Sequence, residues 1–175
     1  MAEKNILTLL QGGDRRSIGH ADHVAAIVAK DPKLFPKLIA GLWSEDPLVC
    51  RRAADAVEKV TRKHREYLRP YKKKLLGLLT SATQQELRCH LAAMVPRLKM
   101  DAKEKKTAVH TLRAYLNDRS SIVKTFALQG LADLAENDST LRPEVIETLR
   151  AATRNGTAAM KARARKLLLR FAAIS

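Results

Sequence analysis

Clusters of lysine and arginine are the residues of this sequence with the clearest capacity for chemistry, and that chemistry is the binding of anions. Residues 51 to 75 hold ten of them against three acids, and residues 156 to 175 hold five against none. The whole chain carries 33 Lys and Arg against 18 Asp and Glu, a formal net charge of +15. Such segregated charge favours an anionic partner: nucleic acid first, then an acidic protein surface or anionic lipid. A generally basic protein with solvated charged faces is the alternative.

The candidate anion-binding residues form three groups. Two arginines lie beside Gly12 and Gly13 and precede Ser17, the predicted N-cap of a helix, where exposed amides and the helix dipole favour a phosphate or carboxylate. The alternative is a turn in which Asp14 pairs with its own arginines. The other groups lie on the predicted exposed sides of two helices. The full set is Arg15, Arg16, Arg51, Arg52, Lys59, Arg62, Lys63, Arg163, Lys166 and Arg170.

Cations at helical spacing can follow a phosphate backbone, with an affinity that falls steeply as salt rises. We expect little base readout, because no Asn or Gln is interleaved with these arginines and aromatic residues are few. The predicted helix between these two groups instead offers Thr125, Gln129 and Asp133, so the charge is interrupted there.

Signals for metal binding and catalysis are weak. His20 and His23 lie one helical turn apart with Asp22 between them, a spacing for two metal ligands, but no third ligand is within sequence reach. We find no nucleophile in a recognisable turn, no glycine-rich phosphate loop and no Cys/His framework. Cys50 and Cys89 are predicted to be free thiols, although their places in the repeat allow a disulfide. The sequence therefore predicts a non-enzymatic protein with no metal, no cofactor and no small-molecule substrate.

Apolar residues recur along the chain at intervals of 36 to 38 residues, each time at i, i+4, i+7 and i+8. This is the buried stripe of an amphipathic helix. The four series are Val49, Leu87, Val123 and Met160; Ala53, Leu91, Ala127 and Ala164; Ala56, Met94, Gly130 and Leu167; and Val57, Val95, Leu131 and Leu168. A repeat of this length with a pair of helices per unit predicts an all-α stacked solenoid.

Capping residues and prolines divide the chain into five helical pairs. The predicted helices are 3–11, 17–30, 32–43, 47–65, 71–79, 84–96, 103–116, 120–135, 143–153 and 158–173. Trp43 is predicted to lie in the core, since it shares a helical face with Ile39 and Leu42. We expect one domain, 1–175, in which 1–33 form an atypical N-terminal capping pair and 34–175 form the repeats.

The repeat resembles the HEAT family of α-solenoids. The family motif places Asp in a turn, Val five residues later and a basic residue directly after it, and Asp118, Val123 and Lys124 match it fully. Weaker copies are Asn155, Met160 and Lys161; Ala82, Leu87 and Arg88; and Ser44, Val49 and Cys50. The resemblance implies a right-handed α-solenoid of about five stacked HEAT-like pairs with second helices on the concave face. It also implies that Arg88, Lys124 and Lys161 brace adjacent repeats.

We therefore expect a non-catalytic HEAT-repeat scaffold that binds an anionic macromolecule, foremost nucleic acid, on a basic concave face. One alternative is a protein-interaction module for an acidic peptide or protein. Another is a DNA repair protein, since bacterial alkylpurine DNA glycosylases of HEAT-like build bind duplex DNA in a basic groove, although their catalytic pattern is not visible here. The sequence shows no membrane span and no leader peptide. It predicts a cytoplasmic protein.

Overall fold

The computed structural model describes residues 5–14 and 16–174, and in these the secondary structure is entirely helical. The α-helices are α1 Ala21–Lys30, α2 Phe35–Ala40, α3 Pro47–Thr61, α4 Lys72–Ser81, α5 Gln85–Met94, α6 Ala102–Tyr115, α7 Ser121–Glu136, α8 Arg142–Asn155 and α9 Ala158–Ala172. Five 3₁₀ segments accompany them: Thr8–Leu10, Pro32–Leu34, Gly41–Trp43, Arg65–Tyr71 and Val95–Arg97. The all-α prediction is confirmed. No helix among the described residues is long and apolar enough to span a bilayer.

Short polar side chains cap α3, α6, α7 and α9. The Asp46 carboxylate accepts the Leu48 amide at the start of α3, with Pro47 in the first turn. Ser120 caps α7 and Asp101 forms a capping box with Glu104 at α6. The prediction that Ser17 caps α1 was wrong: α1 begins at Ala21, because the Ser17 hydroxyl accepts the Gly19 amide in a local turn instead.

Two predicted helices also differ in extent. The helix expected at 3–11 is only a 3₁₀ turn at Thr8–Leu10 within the described residues, and the double glycine after it stops propagation. Helix α3 ends at Thr61 rather than at residue 65, and the chain continues through the 3₁₀ segment Arg65–Tyr71.

The chain divides into two compact units, Met1–Lys72 and Lys73–Ser175. In the first unit α3 packs against α1 and α2. In the second, α5 packs on α7 and α7 on α9, while α6 and α8 pack on the helices that follow them. This sequential packing is consistent with a helical repeat. That the two units form one continuous domain stays a prediction.

The predicted repeat positions form the cores of the two units. All of them are buried except Met160 and Leu168 in α9, which are half-buried. The prediction for Trp43 was wrong, because its side chain is 42% exposed while Ile39 and Leu42 are buried. The 3₁₀ segment Gly41–Trp43 explains the error: at three residues per turn Leu42 lies over Ile39, and the next residue is rotated away from that face.

Gly130 permits the close approach of α5 and α7. A Cβ atom at this position would lie 2.6 Å from the Ala92 carbonyl oxygen and 3.2 Å from a Leu112 methyl. The first contact is with backbone, which cannot move aside as a flexible side chain can. The small residue in this repeat series is therefore required by helix packing.

We predict that Gly130→Ala lowers the free energy of unfolding by about 1 to 3 kcal/mol, because the added methyl overpacks the interface between α5 and α7. The control is Gly77→Ala in α4, where a Cβ atom meets nothing within 4 Å. That change is expected to stabilise the protein by about 0.5 to 1 kcal/mol, since glycine is a poor residue inside a helix. Denaturant unfolding measures both, and equal effects of the two changes would contradict the packing argument.

An ion pair joins α5 to the turn before α7. Arg88 Nη1 lies 2.5 Å from Asp118 Oδ2, and Arg88 Nε donates to the Ala82 carbonyl. The guanidinium lies over the Tyr115 ring, 5.3 Å from its centroid. The other Asp118 oxygen accepts the Ser120 amide. Arg88 and Asp118 thus brace neighbouring helical pairs, the role that the HEAT resemblance implied for the basic residue.

The environment of Asp118 makes this brace dependent on pH. Burial raises the pKa of Asp118, but the Ser120 amide and the Arg88 guanidinium outweigh it, with Lys124 adding to them, so the pKa lies below its ordinary value. A lowered carboxyl pKa in the folded state gives stability that is present above the unfolded pKa of about 3.9 and is lost as the pH falls through the folded pKa.

We predict that Asp118→Asn costs about 1 to 3 kcal/mol at pH 7, since the amide keeps the Ser120 hydrogen bond but loses the charge facing Arg88. The difference from the natural protein should shrink below pH 4, as Asp118 itself becomes protonated. Asp31→Asn is the control, because Asp31 caps a 3₁₀ segment through the Lys33 amide and asparagine caps equally well. If the free energy of unfolding of Asp118→Asn stays below that of the natural protein by the same amount down to acid pH, the prediction is contradicted.

Candidate anion-binding surfaces

Arg52 lies inside the first unit, although the sequence placed it on an exposed face. Its residue is 2% exposed, and its guanidinium donates to four backbone carbonyl oxygens. The acceptors are Leu10 at 2.9 Å, Gly12 at 2.7 Å, Asp14 at 2.8 Å and Ser17 at 3.3 Å. The prediction that Arg52 lies on an exposed face was wrong, because the segment before α1 folds over the guanidinium and uses its donors.

Glycines shape this segment around Arg52. Gly12 and Gly13 have φ values of 66° and 73°, and Gly19 has a φ of 55°. A Cβ atom on Gly19 would lie 2.6 Å from Arg52 Cζ. The left-handed conformation of these glycines lets the chain bend around Arg52, and four backbone carbonyl groups point at its guanidinium. A pocket for an anion would need amide N–H groups in their place. The Asp14 carboxylate accepts the Arg16 amide in the same turn.

The remaining predicted cations of α3 are also engaged within the first unit. Arg51 Nη2 donates to the Ser17 carbonyl, and Lys59 lies between Asp22 and Asp55 at 2.5 and 2.6 Å. Burial lowers the pKa of Lys59, but hydrogen bonds to these two carboxylates outweigh it and raise the pKa above its ordinary value. Arg62 pairs with buried Glu58 at 2.6 Å, yet 62% of its side chain stays exposed.

On α9 the predicted cations divide into engaged and exposed residues. Arg170 contacts Asp133 at 2.9 Å and Glu136 at 3.0 Å, and Arg163 donates to the Gln129 side chain at 2.8 Å. Gln129 and Asp133 of α7, which interrupt the charge in the sequence, therefore hold Arg163 and Arg170 of α9. Lys166 is exposed and makes no ion pair with any described residue.

The last three predicted residues are either exposed to solvent or outside the described chain. Arg16 and Lys63 are exposed, and neither forms an ion pair among residues 5–14 and 16–174. Arg15 lies outside the described residues. Most of the predicted cations therefore contact carbonyl, carboxylate or amide groups of the protein itself. The surfaces that remain positively charged are smaller than the sequence suggested.

The sequence analysis did not identify a further group of exposed cations as a candidate site. It follows α3 in residues 62–71, which we call the connector. Arg65 and Arg69 of the connector are exposed beside Lys63 and lack an ion pair with any described residue. Aromatic side chains alternate with them: His64 stacks on Tyr67 with ring centroids 4.9 Å apart. The mixture of basic and aromatic residues was visible in the sequence, but assigning 47–65 to one helix hid it.

The structure offers little support for metal or thiol chemistry in the part of the chain that it describes. No group of three or more His, Cys, Asp or Glu residues could hold a metal there, and the His20 and His23 rings lie edge to face at 6.5 Å. Cys50 and Cys89 are buried free thiols. Burial raises the pKa of Cys50 to about 11 and of Cys89 to about 12, so both stay protonated at neutral pH.

Two of the clefts that the described residues form lie in the second unit. One, of about 460 Å³, is lined by α6 and the start of α8, but its Lys105 and Arg113 pair with Asp138 and Glu144. A hydrogen bond from Lys105, with help from Thr140, holds the pKa of Asp138 well below its usual range. The other cleft, of about 320 Å³, has a mainly apolar lining that includes Leu116, Leu128 and Met160. Lys106 also lines the first of these clefts, and Lys124 lines the second.

Comparison with known proteins identifies a related fold. No family model matches the chain, and no curated protein does. An engineered protein whose crystal structure was determined by the Northeast Structural Genomics Consortium superposes with a TM-score of 0.63 at 18% sequence identity. The match covers 93% of this chain and 76% of the engineered one. At this identity the likeness shows a shared all-helical fold.

The carbonyl cradle around Arg52 yields a stability prediction. Arg52→Lys should lower the free energy of unfolding by about 2 kcal/mol, because an ammonium group cannot reach carbonyls that a planar guanidinium spans. Amide hydrogen exchange in residues 10–19 should rise at the same time. Arg65→Lys on the exposed connector is the control and should change neither quantity. Unchanged stability and protection in Arg52→Lys would show that the cradle does not hold this segment.

Proposed function

We propose that this protein is a non-catalytic helical-repeat scaffold that binds an anionic macromolecule, nucleic acid foremost, through exposed cations. One observation carries the proposal: exposed lysines and arginines in both units make no ion pair with any described residue. They include Lys63, Arg65 and Arg69 in the first unit and Arg165 and Lys166 in the second.

The distribution of acids supports this proposal. Many carboxylates are used inside each unit, where Asp31, Asp46 and Asp101 cap helical segments. Others hold a structural cation, as Asp118 holds Arg88 and Asp138 holds Lys105. With 33 Lys and Arg against 18 acids, internal pairing leaves a positive excess at the surface. Phosphate groups are strong partners for such a surface, because their binding releases condensed counterions.

The architectural part of the proposal is a right-handed α-solenoid of about five HEAT-like pairs. It is supported by the repeat interval, by the packing of α5, α7 and α9 on one another, and by the Arg88–Asp118 brace. Helical repeats of this kind provide extended binding surfaces and carry no chemistry of their own. An acidic polypeptide is the competing partner, since it offers the same charge without a phosphate backbone.

The first test is an anisotropy titration with labelled single-stranded and duplex DNA and RNA. We expect binding that weakens strongly between about 50 and 200 mM salt, as counterion release requires. An acidic polypeptide is added as competitor. No binding at low salt would overturn the nucleic-acid proposal, and so would tighter binding of the polypeptide than of either nucleic acid.

We predict that the triple change Lys63→Glu, Arg65→Glu and Arg69→Glu weakens nucleic-acid binding by about tenfold or more and lowers the salt slope by about two to three, one lost phosphate contact per residue. Helicity should not change, because these side chains are exposed. The control reverses three exposed cations of the second unit: Lys99→Glu, Lys103→Glu and Arg119→Glu. The control has the same net charge, so equal losses in the two variants would contradict a site at the connector.

A further inference from the structure

A column of aromatic rings stands beneath the exposed cations of the connector. Phe35, at the start of α2, is 4% exposed and contacts Tyr67 with ring centroids 5.2 Å apart. Tyr67 in turn lies almost parallel to His64, with an interplanar angle of 10° and centroids 4.9 Å apart. Tyr71 packs on Phe35 from the side at 6.2 Å. The buried ring thus anchors a stack that rises to the surface at His64.

His64 is the outermost ring of this stack. Its side chain is 37% exposed. Because Tyr67 covers one face of the imidazole, the exposed part of the ring lies away from Tyr67. The Glu66 carboxylate lies 3.4 Å from Nδ1 at one edge. The exposed part of His64 is where a further flat aromatic group can contact the column.

Apart from Glu66, the charged residues that flank this ring in the connector are positive. Lys63 and Arg65 are its immediate neighbours in the chain, and Arg69 follows one turn later in the 3₁₀ segment. All three are exposed and without an ion pair among the described residues. The only acid of the connector is Glu66. A stacking ring among cations is the combination by which proteins hold single-stranded nucleic acid, whose bases stack while its phosphates meet lysine and arginine.

We infer that the connector binds single-stranded nucleic acid, with one base stacked on His64 and the adjacent phosphates on Lys63, Arg65 and Arg69. This inference rests on the proposed function and specifies the class of nucleic acid. Single strands are favoured because the bases of a duplex are already stacked on each other and present only their edges in the grooves. Stacking alone carries little base preference, since every base has an aromatic face.

The column is preorganised, which distinguishes it from a loose pair of surface side chains. Tyr67 packs on buried Phe35, and His64 is the residue before the 3₁₀ segment, where its side chain accepts no capping hydrogen bond from a backbone amide. A ring that is already in place loses little conformational freedom when a base arrives. For the same reason His64 can be replaced without removing a structural hydrogen bond at that cap.

The test compares single-stranded and duplex DNA of the same length on the full chain. His64→Ala should weaken single-strand binding by about fivefold or more, the effect of losing one base–aromatic stack, and should leave the salt slope unchanged because no phosphate contact is lost. Duplex binding should change little. His64→Phe should restore single-strand binding, since it keeps the ring. His110→Ala, an exposed histidine of α6, is the matched control and should bind as the natural protein does.

Each outcome decides between the two proposals. Loss in His64→Ala with rescue by His64→Phe supports the stacking site. If His64→Ala binds single strands as well as His110→Ala does, the stacking site is wrong while nucleic-acid binding stands. Equal losses for single strand and duplex would likewise overturn the stacking site. If the natural protein binds neither DNA nor RNA at low salt, the proposed function fails and this inference fails with it.

Discussion

Close contact between consecutive second helices is the constraint on which the second unit depends. Helices α5 and α7 approach so closely that a Cβ atom on Gly130 would lie 2.6 Å from the Ala92 carbonyl oxygen. Ala127 and Ala164 are fully buried in the same helical faces of α7 and α9. Each helix can bury only one stripe, so small residues at these positions let neighbouring stripes meet and exclude water. The larger residues, such as Leu91 and Leu131, fill the space that remains.

Charge is arranged around this packing in two different ways. Where helices and turns must be joined, cations are held by internal acceptors: Arg88 by Asp118, Arg170 by Asp133, and Arg52 by four carbonyl groups. On the remaining surface few acids are available as partners, because many of them form ion pairs or cap helices, and the exposed lysines and arginines face solvent. Structural and functional cations therefore cannot be separated by residue type. They are separated by whether a fixed acceptor lies within reach of the side chain.

The connector combines internal packing with exposed positive charge. Its aromatic residues pack back onto Phe35 of α2, which fixes a segment that is otherwise short and polar. The outermost ring, His64, is partly exposed among the cations of this segment. A binding surface on a rigid base of this kind limits the entropy lost on association. The proposed scaffold would then hold its partner through a defined patch in addition to diffuse charge.

The sequence by itself determined the helical class, most helix boundaries and the buried repeat positions, because these follow from local rules. A stripe at i, i+4, i+7 and i+8 must be buried, and residues such as Asp46 with Pro47, or Ser120, start helices through contacts within a few residues. Only the tertiary structure decided the fate of individual charges and of Trp43. Arg52 and Arg62 look alike in the sequence, yet one is enclosed by a segment about 40 residues away in the chain and the other is mostly exposed. Such long-range contacts leave no periodic signal, so the connector and its aromatic column emerged from the fold alone.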